Sequence, residues 1–263
     1  MHEVFAHEDL AAALDATASE LLWEASVTGP PVDAFAVAGE LGLFVAEDDR
    51  LAPRGRFSRL GGISATPVGA GAAGAGPTPQ SAEGLILLRT EPRRERRQWA
   101  VAHEVGEYAA SRVYSRLGVQ PCDTRAGARE AVANGLAGRL LLPSGWFRPD
   151  ATRFDYDLLT LKRRYATASH ELIARRVLEL AGLPAAVTVF DHGSVTWRRA
   201  SLGWNARSPL DPAEQATWRR CHTTGGPTEC LRPPLPLTRV RCWPIHEPGW
   251  RREIMISELC DAG

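Results

Sequence analysis

The sequence predicts an α+β protein, in which a helical domain with a small sheet is followed by a smaller β-rich module. Two observations predict this class. Apolar residues recur at helical spacing through much of residues 8–181, and strand-like periodicity replaces that spacing beyond Pro184. With 263 residues, the chain is long enough for two modest domains. We therefore predict a first domain over residues 1–183 and a second over residues 184–263.

The first predicted elements form a helical frame. Residues 8–23 carry leucines and alanines three and four positions apart, which indicates an amphipathic helix. The run Gly29-Pro30-Pro31 ends it. A shorter helix over residues 32–41 then precedes a strand-like run at residues 43–45.

A tract of small residues comes after this frame. Residues 65–80 consist almost entirely of Ala, Gly, Pro and Thr, which bury too little apolar surface to offset the entropy of ordering. We expect a flexible surface loop there. Directly after it, residues 84–89 read Gly-Leu-Ile-Leu-Leu-Arg, a run typical of a buried strand, and Pro92 then marks the start of a helix.

The rest of the chain contains further helices and then strands. A clear helix spans residues 126–142 and is ended by Pro143, since proline cannot continue it. Other helices are predicted at residues 156–165, 169–181 and 213–220, and strands at residues 187–190, 194–198, 239–243 and 253–257.

The bulk composition excludes some functional classes. Lys plus Arg equals Asp plus Glu, 31 against 31, so no overall field draws the chain onto nucleic acid or an anionic membrane. No apolar stretch is long enough to predict a membrane span or a secretory leader, and we expect a cytoplasmic protein.

The cysteines lack the paired spacing of metal or redox sites, so we expect them to be reduced and unpaired. They are Cys122, Cys221, Cys230, Cys242 and Cys260. A second metal site built on Cys221-His222 and Cys230 is an alternative that the spacing does not favour, and we assign these residues no role.

One histidine differs from the others in its neighbours along the chain. His-Glu pairs are frequent in this protein, but only His103 has a potential ligand, Glu107, four positions on. Four residues make about one helical turn, so both side chains leave the same face of the predicted helix and can reach one ion. Glu104 lies beside them. In His-Glu-x-x-His helices of zinc peptidases, the glutamate at this position is the general base.

A third ligand is needed, and Glu130 is the best candidate. It lies near the start of the next long helix, which can return antiparallel across the first. The alternative interpretation is that Glu104, Glu107 and Glu130 are solvated carboxylates without a metal, because charged side chains usually face water.

Two motifs carry a resemblance to a known family. The run from Arg96 to Gly106, with Ala102-His103-Glu104, resembles the active-site helix of the ImmA/IrrE metallo-endopeptidases. The run from Glu130 to Pro143, with its Asn134 and its closing Leu-Leu-Leu-Pro, is similar to the second signature of that family. The resemblance spans roughly residues 8–183.

This resemblance implies a zincin-like fold, with His103 and Glu130 as metal ligands and Glu104 as the catalytic base. Glu107 departs from the family, which has a histidine there. One histidine with two glutamates is formally neutral with a divalent ion, which admits harder metals such as Mn²⁺ beside Zn²⁺.

The resemblance also implies an activity, since such enzymes cut helix-turn-helix repressors in stress or mobile-element control. We predict a metal-dependent endopeptidase whose partner is such a repressor, with the β-rich module in recognition or sensing. A pseudopeptidase that binds a partner without cleaving it is the alternative. A third hypothesis is a DNA-binding regulator that uses the basic helices around residues 162–164 and 175–176.

The sequence leaves the group that stabilises the oxyanion undecided. Tyr108, Arg112 and Tyr114 are near the motif, but helix spacing alone does not show which of them faces a cleft.

Overall fold

The computed structural model describes residues 7–51, 55–59, 83–120, 126–180, 184–201, 209–247 and 249–260. The predicted loop at residues 65–80 lies outside them. Contacts divide the chain into two compact units, residues 1–146 with 165–168 and residues 147–164 with 169–263. Helices and two sheets make up the structure, which confirms the predicted α+β class.

The first unit combines helices with a three-stranded sheet. Its elements are α1 (His7–Glu24), α2 (Ala34–Glu40), β1 (Leu43–Glu47), β2 (Gly55–Arg59), β3 (Gly84–Leu88), α3 (Arg94–Arg116) and α4 (Ala126–Leu141). Strand β3 is central, with β1 parallel to it on one side and β2 antiparallel on the other. Ile86 and Leu88 of β3 are fully or almost fully buried, as expected for an apolar central strand.

A buried glutamine fixes helix α2 against α3. Gln98 on α3 accepts a hydrogen bond of 2.7 Å from the backbone N–H of Ala34, the first residue of α2. Its amide group also donates to Asp33 at 2.9 Å, and Asp33 itself caps α2 by accepting from the backbone of Phe35. The start of α2 thus has its orphan backbone donors satisfied by α3 and by its own cap.

Helices α3 and α4 pack antiparallel at very close range. A Cβ atom on Gly106 would lie 2.6 Å from the carbonyl oxygen of Ala133, so glycine permits an approach that alanine would not. Ala102, Ala109, Ala133 and Ala137 are buried here, and their small side chains keep the two backbones close. This contact sets the distance between functional side chains on the two helices.

The second unit is built around a five-stranded antiparallel sheet. It contains most of α5 (Ser144–Arg153), together with α6 (Leu158–Arg164), α7 (His170–Leu180), β4 (Ala185–Asp191), β5 (Ser194–Ala200), α8 (Pro212–Thr224), β6 (Thr228–Leu231), β7 (Leu237–Pro244) and β8 (Arg252–Leu259). The strand order is β5-β4-β8-β7-β6. Helix α8 carries a capping box at Asp211 and Glu214 and ends at Gly225 in the left-handed region.

Sequence reasoning missed three elements. Helix α5 comes directly after Pro143 and contains Pro149, which argued against a helix. Strands β2 and β6 are short and rich in polar residues, and they exist because each pairs with a neighbouring strand.

Helices α5 to α7 group mainly with the second sheet. A functional division of the chain after residue 183 stays a prediction.

No helix within the described residues is long and apolar enough to cross a membrane.

The α3/α4 contact gives a first test. Gly106→Ala forces a methyl group against the backbone of Ala133, so we expect the free energy of unfolding to fall by about 1–3 kcal/mol in urea titration. Gly127→Ala on α4 is the matched control, because nothing lies within 4 Å of its added Cβ. The control should be neutral or stabilising by up to about 1 kcal/mol. Equal effects of the two substitutions would contradict the close packing.

Candidate metal centre and adjacent cleft

Three predicted ligands converge where α3 crosses α4. His103, Glu107 and Glu130 each offer one ligand atom, and these atoms all lie within 4.8 Å of one another. The His103 Nε2 atom is 3.7 Å from the Glu130 Oε2 atom. In the part of the chain that the structure describes, this is the only such group of three His, Cys, Asp or Glu side chains. Imidazole and carboxylate donors at this separation suit a divalent ion such as zinc or manganese.

Asn134 orients two members of this trio. Its side-chain amide donates to the Glu130 Oε1 atom at 2.9 Å, which turns its carbonyl oxygen toward His103 Nδ1 at 3.2 Å. The hydrogen-bond pattern therefore assigns the ring proton to Nδ1 and leaves the Nε2 lone pair facing Glu130. Such support by a neighbouring amide fixes the tautomer that a ligating histidine needs. The sequence showed Asn134 in a motif, but spacing alone assigned it no contact.

Glu104 lies beside the trio and is only 6% exposed. Burial raises the pKa of this carboxyl above its usual range, and Glu107 and Glu130 add to the rise, while His103 and a backbone hydrogen bond from Phe57 oppose it. A raised pKa suits a group that must accept and return a proton near neutral pH.

Strand β2 comes close to this carboxyl. A Cβ atom on Gly55 would lie 2.6 Å from Glu104 Oε1, so this glycine leaves the space that the carboxyl occupies. The backbone of Phe57 on the same strand supplies the hydrogen bond to Glu104. Since β2 was not predicted from the sequence, neither contact could be anticipated.

Glu107 has an ionic partner in addition to the trio. The Arg129 Nε atom lies 2.5 Å from the Glu107 Oε2 atom, and the Glu107 side chain is 17% exposed. This arginine adds a positive charge beside the site. The formal charge predicted from one histidine, two glutamates and a divalent ion did not include it. It engages one carboxylate oxygen of Glu107 and holds that side chain toward α4.

A cleft of about 390 Å³ adjoins Glu107. Its lining residues come from β2, α3 and α4, namely Phe57, Arg59, Glu107, Tyr108, Ala110, Ser111, Tyr114 and Arg129. A volume in this range is typical of sites for small ligands or side chains. The cleft belongs to the first unit.

The structure separates the three side chains that the sequence left as oxyanion candidates. Tyr108 donates to Glu83 at 2.8 Å, and burial together with this contact raises its pKa. Arg112 is paired with Glu20 and Glu24 on α1. Tyr114 lines the cleft and is 5% exposed, and within the described ranges of the chain its hydroxyl has no hydrogen-bond partner.

The second unit holds a separate polar cluster around Glu253, whose side chain is completely buried. His222 Nδ1 and His246 Nε2 lie 2.9 and 2.8 Å from the same carboxylate oxygen, Oε1. Burial alone raises the pKa of Glu253, but hydrogen bonds from His246, His222 and Trp218 hold it below the usual value.

The alternative metal site at Cys221-His222 and Cys230 gains no support from this arrangement. His222 contacts Glu253, and Cys221 and Cys230 are free cysteines, one buried and the other partly exposed. Cys242 and Cys260 are free as well, in agreement with the sequence, whereas Cys122 lies outside the described residues.

Comparison with known proteins agrees with the geometry. Residues 65–178 match the family model of the IrrE N-terminal-like domain, a peptidase family, which confirms the ImmA/IrrE resemblance and covers all four predicted site residues. A solved structure of a Mycobacterium tuberculosis transcriptional regulator has a similar fold, with a TM-score of 0.62 and 16% sequence identity over 96% of this chain and 80% of that chain. No curated protein shows significant sequence similarity.

The Glu253 cluster predicts a specific pH dependence. Because its folded pKa is depressed, ionised Glu253 stabilises the fold above the ordinary carboxyl value of 4.5, and this contribution is lost as the pH falls through the folded pKa. Glu253→Gln should therefore lower the free energy of unfolding by about 1–2 kcal/mol at pH 7, with the difference from wild type shrinking below pH 4.5. Denaturant titrations at pH 7 and at pH 4 or lower measure it. Glu229→Gln, at an exposed ion pair, is the control, and a Glu253→Gln deficit that is constant with pH would refute the linkage.

Proposed function

From the similarity of residues 65–178 to an IrrE N-terminal-like domain, we propose that the chain is a divalent-metal-dependent endopeptidase. The convergence of His103, Glu107 and Glu130 beside a buried Glu104 is the observation that carries this proposal. His103, Glu107 and Glu130 are the proposed ligands of the metal, and Glu104 is the proposed catalytic base.

The donor set fits a divalent ion, and zinc or manganese are the proposed metals. When bound, such an ion would supply Lewis acidity, which polarises a peptide carbonyl and makes water more acidic. Asn134 keeps His103 in the tautomer with a free Nε2 lone pair, and it fixes one oxygen of Glu130. Arg129 leaves Glu107 with one oxygen outside their ion pair. All three ligand side chains are thus oriented by the chain itself.

Glu104 performs the proton transfers of the proposed hydrolysis. It accepts a proton from the water that attacks the peptide carbonyl carbon, and it then delivers that proton to the amide nitrogen as the C–N bond breaks. Its burial and its raised pKa favour both transfers, because the carboxyl can hold the proton between the two steps. The Phe57 backbone contact keeps it in place.

A cytoplasmic helix-turn-helix repressor in stress or mobile-element control is the proposed substrate. The family resemblance motivates this class, and the similar fold of a protein called a transcriptional regulator is consistent with a regulatory setting. The β-rich module after residue 183 would then handle recognition or sensing.

A second candidate function is supported by the Arg129–Glu107 ion pair, which competes with any metal for that carboxylate. Under this alternative the chain is a pseudopeptidase that binds a regulatory partner without cutting it. The DNA-binding hypothesis receives less support, since Arg164, Arg175 and Arg176 are each paired with a carboxylate.

The first functional test replaces the proposed base. Glu104→Gln keeps the side-chain size but cannot accept a proton, so cleavage should fall by about a hundredfold to ten-thousandfold while metal content stays near that of wild type. His103→Ala should lose both the bound metal and the cleavage activity. Glu95→Gln, in the first turn of the same helix, is the matched control and should retain both properties. Metal is measured by mass spectrometry, and cleavage is measured on a purified helix-turn-helix repressor. Wild-type activity in Glu104→Gln would exclude the assigned role.

The second functional test addresses Glu107. Glu107→His restores the common ligand set of the family and should raise zinc affinity in chelator competition, whereas Glu107→Gln should lower it. Arg129→Gln is combined with Glu107→His in a further variant, because the arginine would otherwise face the new imidazole. The pseudopeptidase alternative replaces the enzyme proposal if wild type binds no divalent ion and if neither Glu107→His nor its combination with Arg129→Gln gains one.

A further inference from the structure

The cleft beside Glu107 contains a buried donor that no group in the described part of the chain satisfies. Tyr114 is 5% exposed and lines the cleft, and its hydroxyl has no hydrogen-bond partner among the residues that the structure describes. A buried hydroxyl without a partner costs free energy, so such groups in a cleft point to an occupant that accepts their hydrogen bond. Tyr114 is two helical turns beyond Glu107 on α3, which puts it on the same side of the helix.

The cleft also contains a cation for which the described residues supply no carboxylate partner. Arg59, at the end of β2, lies with its guanidinium 6.0 Å from the centre of the Tyr108 ring. Within the described residues, Arg59 forms no ion pair with a carboxylate. The other lining arginine, Arg129, is paired with Glu107, and Glu83 bonds to Tyr108 outside the lining set. The lining residues therefore carry one uncompensated positive charge.

Aromatic rings form a large part of the walls, beside Ala110 and Ser111. Phe57 and Tyr108 meet edge to face, with their ring centres 5.7 Å apart, and both line the cleft with Tyr114. Rings of this kind pack well against methylene groups. A side chain with a short aliphatic stem and a carboxylate at its end fits all three features. The stem packs against the aromatic walls, and the carboxylate pairs with the positive charge and accepts from the unsatisfied hydroxyl.

We propose that this cleft is a specificity subsite for a glutamate side chain of the peptide that the chain binds. Its carboxylate lies between Arg59 and the Tyr114 hydroxyl, and its two methylene groups pack against Phe57 and Tyr108. Glutamate is favoured over aspartate because the longer stem reaches an inner donor and buries more apolar surface. The inference rests on the proposed function, in which Glu107 at the edge of the cleft is a metal ligand, so the glutamate is held close to the bond that is cut.

The two anchoring residues, Arg59 and Tyr114, are distinct from the proposed catalytic groups, although Glu107 lines the same cleft. Each residue of an α-helix adds about 1.5 Å along the axis, so the backbone of Tyr114 is roughly 10 Å further along α3 than that of Glu107. This offset along α3 suits a side chain of the peptide next to the bond that is cut. Tyr114 and Arg59 are binding residues in this proposal.

Peptide binding tests the subsite separately from cleavage. The probes are fluorescein-labelled, end-blocked octapeptide pools in which one position at a time is fixed as Glu, Gln, Asp or Lys. Their affinities are measured by fluorescence anisotropy on the full chain carrying Glu104→Gln, which prevents turnover. At one position, pools with Glu should bind about fivefold or more tightly than pools with Gln, because a charged acceptor strengthens the hydrogen bonds and pairs with the arginine.

Variants of the cleft then assign the preference. Arg59→Gln should bring the Glu-to-Gln ratio close to one. Arg56→Gln is the matched control, since Arg56 is an exposed arginine on the same strand whose side chain points to the opposite face, and the ratio should not change. Tyr114→Phe should lower the ratio while the melting temperature stays the same or rises, because an unsatisfied hydroxyl has been removed. A tyrosine with only a packing role would leave the ratio unchanged.

The outcomes separate this inference from the proposed function. Equal binding of Glu and Gln pools at every position would overturn the subsite, as would an equal loss in Arg59→Gln and Arg56→Gln, which indicates general charge attraction. A Glu preference that depends on Arg59 and Tyr114, in a wild-type chain that cuts no peptide, supports the subsite and refutes the endopeptidase. Cleavage by wild type without any Glu preference supports the endopeptidase and refutes the subsite.

Discussion

The close contact between Gly106 and the backbone of Ala133 is the constraint on which the candidate site depends. It brings α3 and α4 near enough for His103 to reach Asn134 and for Glu107 to reach Arg129. Helices with larger side chains at this crossing would lie further apart, since interaxial distance depends on the residues at the contact. The convergence of His103, Glu107 and Glu130 is therefore a consequence of small residues as much as of these three side chains.

Local patterns predicted much of the fold and the trio itself. The spacing of His103 and Glu107 needs only one helix, and the placement of Glu130 needs only an antiparallel return, so both are accessible to helical geometry. The strand at residues 84–88 and most strands of the second sheet could also be predicted, because their apolar runs and periodicity are local.

Contacts that depend on tertiary pairing could not be predicted from local sequence patterns. Strand β2 is held by β3, and without β2 neither the backbone donor to Glu104 nor the position of Arg59 can be anticipated. The Arg129–Glu107 ion pair was missed because adjacent charges on a helix end usually face solvent. In the same way, His222 is 31 positions from Glu253 in sequence, and only the packing of α8 against the second sheet brings the two together.

The hydrogen bond to Glu104 from strand β2 comes from a backbone amide, and this has a consequence for mutational tolerance. Every amino acid except proline carries that N–H, so the donor persists whatever side chain evolution places at position 57. The side chain at position 57, which packs against Gly84 and Tyr108, can therefore change without removing the donor to the carboxyl beside it. The shape of the cleft wall can thus change at a single residue independently of the hydrogen bond to Glu104.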